Sequence, residues 1–435
     1  MSHDSPMTAN IYLPALPTLV DEFHTTTEVI NLTVTIYLVF QGASPLFWGP
    51  LSDNYGRRLM FTACLALLAV SCVGLALIPT SHYWPLFLLP FGVLLDVAAP
   101  HERGMFFGVG NVAPMLGPMI GPIIGGGLTD SLGWRPVSLF WFLCILSGIM
   151  AVIVFLFLPE TLRMIVGNGS IAPPHMLKTP ISVVGNSVKK TRQPADAKRQ
   201  MHNPFRLFLQ FDVLVLLLFN GIQFAVFYGV TASLSTIFED HYPYLDDTTT
   251  GLCFLAIGGG MVCGTVTMGR IMDRDYRRVK EKMKRRAEED GSVFDEGAFP
   301  FERARIRLVP YITVTYTASA VAYGWCIDKN VNLSAPLIFL FFVGMFSTSM
   351  MSSISTLLVD LLPGQGSSIT ACNNFVRCSL GAVMVSVIQL MFDAIGVGFT
   401  FLVLGSLCIV FGVPCFWVVM QMMPVYRRKR REHPL

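Results

Sequence analysis

Gly49-Pro-Leu-Ser-Asp53-Asn-Tyr-Gly56-Arg57-Arg58 returns later in the chain as Gly269-Arg-Ile-Met-Asp273-Arg-Asp-Tyr-Arg277-Arg278. Glycine, aspartate and both arginines recur at a constant offset of 220 residues. Each copy closes an apolar run of membrane-helix length. A fainter echo sets Asp96-Val-Ala-Ala-Pro100 against Asp360-Leu-Leu-Pro363. The chain therefore reads as two halves of one design.

Composition names the solvent. Of 435 residues, 53% are hydrophobic and 14% charged, and the mean hydropathy is +0.58, too apolar for a soluble globular chain. The apolar residues come in runs of about 18 to 25, enough for a helix to cross a hydrocarbon core of roughly 30 Å. Barrel strands would be about half as long and would alternate. The expectation is an all-α membrane protein, nominally of twelve spans. Spans 1 to 6 are read at 4–20, 29–49, 59–79, a short piece at 84–95, 105–128 and 137–158. Spans 7 to 12 are read at 207–236, 251–271, 308–327, 335–359, 367–392 and 397–423. They divide into an N-terminal half (1–158), a cytoplasmic linker (159–204), a C-terminal half (205–424, with a cytoplasmic loop at 275–306) and a basic tail (425–435).

Lys and Arg set the orientation. With spans alternating in and out, only Arg135 and Lys329 of the 31 basic residues fall outside, and Arg377 lies within a span. The run Arg277-Arg-Val-Lys-Glu-Lys-Met-Lys-Arg-Arg reads as a solvated cytoplasmic helix attracted to anionic lipid. Met1 to Thr8 is polar, so no cleavable signal peptide is visible. All ten cysteines lie in apolar segments and read as reduced packing residues, not as a disulfide framework or metal site. No metal, cofactor or nucleic-acid partner is expected. A Gly-rich loop ending in Gly-Lys-Ser/Thr is missing, and so is a Ser/His/Asp constellation, which argues against an ATP-driven pump and against an enzyme.

The repeat also measures what is short. Asp53 to Asp96 is 43 residues, whereas Asp273 to Asp360 is 87. The basic loop after span 8 accounts for about 28 of the difference and the shortened span 4 for roughly 16. By the same offset, span 1 would begin about 13 residues before Met1, so its cytoplasmic half is expected to be lacking.

With these features the sequence resembles the drug:proton antiporters of the major facilitator superfamily, and within them the fungal quinidine-resistance, polyamine, dityrosine and citrate exporter group. Gly49, Asp53, Gly56, Arg57 and Arg58 match the superfamily's signature between spans 2 and 3, with Asp273 and Arg277 in its duplicate. Gly56 permits a tight reversal, and Asp53 is expected against the N-terminal end of span 11, holding the inner gate shut. Gly117-Pro118, Gly121-Pro122 and Gly125 in span 5 are similar to the antiporter motif, their glycines stacked on one face and matched by Gly260 and Gly264 of span 8. Leu158-Pro-Glu160-Thr-Leu-Arg163 resembles the stretch after span 6 that marks the fungal group, and is expected to dock the linker. The arginine-bearing motif such proteins carry in span 4 is absent here.

Arg377 is the sharpest functional signal. It sits about 15 Å into span 11, where a cation is expensive and marks a substrate or ion path. Asn373 shares its face, and Asn374 lies beside it. Thr33, Tyr37 and Gln41 of span 2, Asn220 and Gln223 of span 7, and Asn10 and Tyr12 of span 1 are candidates for the same cavity, with an interhelical hydrogen bond the competing role for each. No histidine lies inside a span and no carboxylate near mid-membrane, so proton coupling is implied by the resemblance alone. The resemblance implies a monomeric exporter of small molecules in the plasma membrane, with protons as the coupling ion and the bilayer as its surroundings. A non-transporting sensor or an inactive truncated product stays open as the alternative.

Overall fold

The computed structural model describes residues 11, 13–16, 20, 26–55, 57–77, 119–127, 136–158, 160, 204–289, 305–362 and 366–422. Among these there is no strand. The helices are α1 (Thr27–Tyr55), α2 (Arg57–Leu77), α3 (119–127), α4 (Pro136–Phe157), α5 (Phe211–His241), α6 (Asp247–Glu289), α7 (Val309–Asp328) and α8 (Ser334–Leu361), followed by a helical run Gly366–Gln421. Gly396 breaks that run with φ 78°, a conformation open to glycine, and so makes two helices of it, α9 (366–395) and α10 (397–421). They correspond to spans 2, 3, 5 to 8 and 9 to 12. Span 1 is described only around a short 3-10 turn, Leu13–Ala15. Span 4, Asn10, Tyr12, Gly56, Gly117 and Pro118 lie outside the described residues.

Among the described residues, Thr27–Trp48, Phe211–His241, Asp247–Arg285, Ser334–Leu361 and Ser368–Gln421 are long and apolar enough to cross a bilayer. The apolar stripes turned outward fit a lipid surround. On α4, Ile145, Ile149 and Val152 repeat at helical spacing and are exposed, as are Val410, Val413 and Trp417 on α10. α7 is rich in hydroxyls, and three of them are satisfied within the helix. Thr313, Thr315 and Ser319 each donate to the carbonyl four residues earlier, on Val309, Tyr311 and Thr315.

Close approach of helices depends on glycine. A Cβ at Gly260 or Gly264 of α6 would collide with the carbonyls of Phe341 and Met345 on α8, and one at Gly344 with that of Ile257. Thr348 and Ser349 of α8 then reach across to the carbonyls of Met261 and Gly264 at 3.2 and 3.3 Å. This corrects the expected match between Gly260, Gly264 and span 5: both glycines face span 10. The side of α6 turned to α3 carries Gly251 and Gly258 instead, against the Pro122 carbonyl and Met119.

Two helices run on past the ends expected for spans 2 and 8, the second of them into the run from Arg277 that reads as a cytoplasmic helix. α1 runs through Gly49 and Asp53 to Tyr55, so the signature forms its last turns, and Arg57 opens α2. α6 runs through Asp273 and Arg277 and on to Glu289, well beyond the expected end at 271. The outer cap of the second half is tied by Tyr242, whose hydroxyl donates to the Val331 carbonyl at 2.6 Å. Burial, with Tyr244 and Cys326 nearby, pushes the Tyr242 phenol above its usual range and keeps it a donor.

Candidate functional site

A polar cluster lies inside the second half, where α5, α8 and α9 meet. Asn220 of α5 is fully buried and donates to Asn373 of α9 at 2.7 Å. Asn373 in turn reaches Ser355 of α8 at a long 3.5 Å. One turn further along α9, the Arg377 guanidinium lies over the Phe224 ring of α5, 4.4 Å from its centroid. Gln223, beside Phe224, has no exposed surface, and neither end of its amide has a hydrogen-bond partner among the described residues. Its backbone carbonyl accepts the Tyr316 hydroxyl of α7 at 3.3 Å.

The spacing of these residues is helical. Asn220 and Phe224, and Asn373 and Arg377, are each four apart, so each pair shares one face. Measured at about 1.5 Å per residue, Asn220, Gln223 and Arg377 all lie roughly 14–18 Å from the inner ends of α5 and α9. The structure thus brings together Asn220, Asn373 and Arg377 from the sequence candidates, with Gln223 at a similar depth on α5.

Asn374 points elsewhere. Its amide donates to the Gln41 carbonyl of α1 at 3.0 Å, and Cys378 on the same face approaches Gln41 Oε1 at 3.8 Å. These contacts place Gln41 and Asn374 on the seam between α1 and α9, apart from the cluster. Gly42 faces Cys378 on that seam, where an added Cβ would come within 2.9 Å. Further out along it, Thr35 meets Ser386 at 2.9 Å. Thr33 donates to the Ile30 carbonyl of its own helix at 2.6 Å, and Tyr37 is buried in the core.

A second seam joins α3 to α6. Gly126 abuts the Asp247 carbonyl, Thr248 donates to the Gly126 carbonyl at 3.3 Å, and Pro122 abuts Gly251. Gly125 is turned to Ile11 of span 1, whose carbonyl a Cβ there would strike, and Gly121 is buried. In the orientation expected from the basic loops, these contacts and the Thr35–Ser386 pair lie toward the outer ends of the two seams.

The signature copies sit at the inner ends. Arg58 is buried against α4: its guanidinium donates to the Phe155 carbonyl and lies 5.2 Å from the Phe155 ring, while its backbone N–H donates to Glu160 Oε2 at 3.3 Å. Glu160, expected to dock the linker, is itself buried and ties the end of span 6 to the start of span 3. In the second half Asp360 accepts from Arg305 at 3.0 Å, and Arg305 lies over the Tyr276 ring at 5.1 Å. Arg305 had no motif to mark it in the sequence; its position before span 9, opposite the echoed Asp360, was the available signal. The side chains of Gly49, Asp53 and Arg57 lie outside what the structure describes.

All ten cysteines are free thiols. Among the described residues no group of three or more His, Cys, Asp and Glu could hold a metal ion.

Comparison with known proteins gives the arrangement its context. The Major Facilitator Superfamily profile matches residues 5–384. MFS-type transporter phiD of a Fungal sp. is 33% identical over 93% of this chain, which spans 64% of that relative's length. Multidrug transporter QDR2 of Candida glabrata is 30% identical, covering 98% of this chain and 80% of the relative. Citrate exporter 1 of Aspergillus niger is 31% identical, over 98% of this chain and 85% of the relative. The human organic anion transporter MFSD10 (TETRAN) shares the fold at a TM-score of 0.59 and 18% identity, over 96% of this chain and 97% of that one. Such proteins are multi-pass membrane transporters, not enzymes. A repeated signature, a fold of packed membrane helices, the superfamily profile over residues 5–384 and relatives that match over nearly all of this chain place it in the Major Facilitator Superfamily.

Proposed function

We propose that this protein is a secondary transporter that exports small organic molecules, of the kind spanned by drugs, polyamines and organic acids, by alternating access. The observation that carries the reading is the Asn220–Asn373–Arg377 cluster held at mid-helix between apolar faces. Polar and charged groups at that depth are expensive in a membrane protein unless they serve a path. The two seams support it mechanically. Among the described residues they are built from glycines, backbone carbonyls and neutral side chains, which let α1 part from α9 and α3 from α6 without unmaking a charged contact. Relatives named as a multidrug transporter and a citrate exporter bracket the cargo range.

In this reading the halves are 1–158 and 205–424, joined by the linker 159–204, and the chain works as a monomer in the plasma membrane with protons entering in exchange. The test is reconstitution of the full chain in liposomes loaded with a fluorescent drug, a polyamine or an organic acid. Saturable efflux of at least one, faster with an opposing proton gradient, is the expected result. Efflux that ignores the gradient removes proton exchange, and no efflux of any cargo removes transport.

A further inference from the structure

We propose that the inner end of α6 carries a docking face for anionic phospholipid headgroups, built from Arg270, Arg274 and Arg277. The face is separate from the transport path, and from the reading above it takes only the orientation expected from the basic loops.

Its position follows from the periodicity of one long helix. α6 runs without interruption from Asp247 to Glu289. One side of it is turned to the protein, burying Met261, Met268 and Met272. The other side is turned outward, where Leu252, Cys263 and Val266 are exposed to the lipid surround. At about 100° per residue, Arg270, Arg274 and Arg277 fall on that outward side, within about 40° of Leu252. All three are exposed. The stripe that meets the lipid tails thus passes into a ladder of arginines at i, i+4 and i+7.

Depth puts the ladder among headgroups. A hydrocarbon core of roughly 30 Å takes about twenty helical residues. Counted from the first turn of α6, the core ends near Arg270, and Arg274 and Arg277 follow about 6 and 10 Å further along the axis. Arginine stems can lie along the apolar stripe while their guanidinium groups meet phosphate oxygens with paired N–H bonds.

Charge selects the occupant. Among the described residues none of the three arginines has an ion pair, hydrogen bond or ring contact, whereas Arg278, off the stripe, approaches Asp275 at 4.0 Å. Like charges one turn apart repel each other, and an anionic layer relieves the repulsion. Asp273 stands at the edge of the face, and Glu281, one turn past Arg277, ends it. A Cβ added to Gly269, next to Arg270, would meet nothing within 4 Å, so the flank is open to a headgroup. Because the face is continuous with the lipid-facing stripe, its occupant stands in the leaflet, and the cytoplasmic leaflet is the one that carries anionic lipid.

The experiment places the purified full chain in nanodiscs of phosphatidylcholine alone or of phosphatidylcholine with phosphatidylserine, and native mass spectrometry of the released protein identifies the lipids it retains. The native chain should retain phosphatidylserine in preference. Arg270→Gln, Arg274→Gln and Arg277→Gln should each lower that preference about fivefold, and the triple variant about a hundredfold. Lys282→Gln makes the same charge change on another side of the helix, about 18 Å beyond Arg270, and should keep the native preference. In phosphatidylcholine alone the triple variant should melt within about 2 °C of the parent, since the side chains removed are exposed. Glycerophosphoserine, the headgroup without tails, should not displace the retained lipid. No preference in the native chain, or equal losses in Lys282→Gln and the triple variant, overturns the proposal. Displacement by glycerophosphoserine also overturns it, because the ligand is then a soluble phosphate. If the triple variant does not accumulate, Arg274→Gln against Lys282→Gln decides. None of these readouts uses cargo, so a failure of export leaves the face standing, and a failure here leaves export standing.

Discussion

The two copies of the signature hold the same aspartate and arginines, yet they end in different structures. In the first, α1 stops at Tyr55, α2 starts at Arg57, and Arg58 is buried with 3% of its surface exposed. In the second, α6 continues to Glu289, and the equivalent Arg278 leaves 74% of its side chain in the open, with only a 4.0 Å approach to Asp275. Among the positions where the copies differ, Gly56 of the first is matched by Tyr276 in the second, a residue inside α6 that stacks on Arg305. A shared motif therefore marks a place in the fold, while its neighbours decide whether the helix continues there.

Arg58→Ala should test this contrast most severely. It removes a desolvated ring contact and a charge-assisted hydrogen bond, so about 3 kcal/mol of stability should be lost. Melting of the purified protein and its abundance at the membrane would both fall. Arg278→Ala, the matched control, should stay within about 0.5 kcal/mol because its side chain is largely exposed. Equal losses at the two sites would mean that the copies are equivalent after all.

Glu160→Ala is expected to be milder, about 1.5 kcal/mol, the loss of one hydrogen bond to a charged group that holds Arg58 from the far end of α4. The bond comes from the Arg58 backbone N–H, which Arg58→Ala keeps, so in a double-mutant cycle the two effects should be close to additive. A coupling well above about 0.5 kcal/mol would show that the Arg58 side chain also acts on Glu160.

Tyr276→Gly puts the residue type of the first copy into the second. Helix propensity sets the loss near 1 kcal/mol, concentrated after the substitution. Amide exchange of residues 277–289 should quicken while that of 251–270 stays as it was. Unchanged exchange beyond 276 would remove Tyr276 as the cause of the continuous helix. Arg305→Gln should have the smallest effect on stability, about 0.5–1 kcal/mol for a partly covered ion pair, and high salt should reduce the difference.

Much of the architecture was legible because membranes restrict the choices. With no water to bond the backbone, an apolar run of twenty residues becomes a helix whatever its neighbours, so spans 6, 9, 10 and 12 begin and end within two residues of their expected places. Where the chain leaves the hydrocarbon that constraint lapses, and there the helical ends of α1 and α6 departed from expectation.

The candidate site was legible in part. Arg377 and Asn373 stood out as polar residues at helical spacing inside an apolar run, and the structure adds the Asn220 amide on Asn373 and the Phe224 ring beneath Arg377. Periodicity places residues around their own helix but says nothing of which neighbour comes to lie there. For that reason Gln41 and Asn374, grouped with the cavity, proved to be partners across the α1–α9 seam, and Gly260 and Gly264 served α8 instead of α3.

The sequence by itself determined the solvent, the helices of the described spans and the internal repeat, because these follow from local hydropathy and spacing along one chain, while the placement of Lys and Arg supplied an expected orientation. Only the tertiary structure decided that Arg58 is buried while Arg278 is exposed, that Arg305 holds Asp360, and that Phe224 lies beneath Arg377. Those are pairings between residues far apart in the chain. Their physical basis is the packing of whole helices, in which a glycine admits a backbone and a larger residue keeps it out.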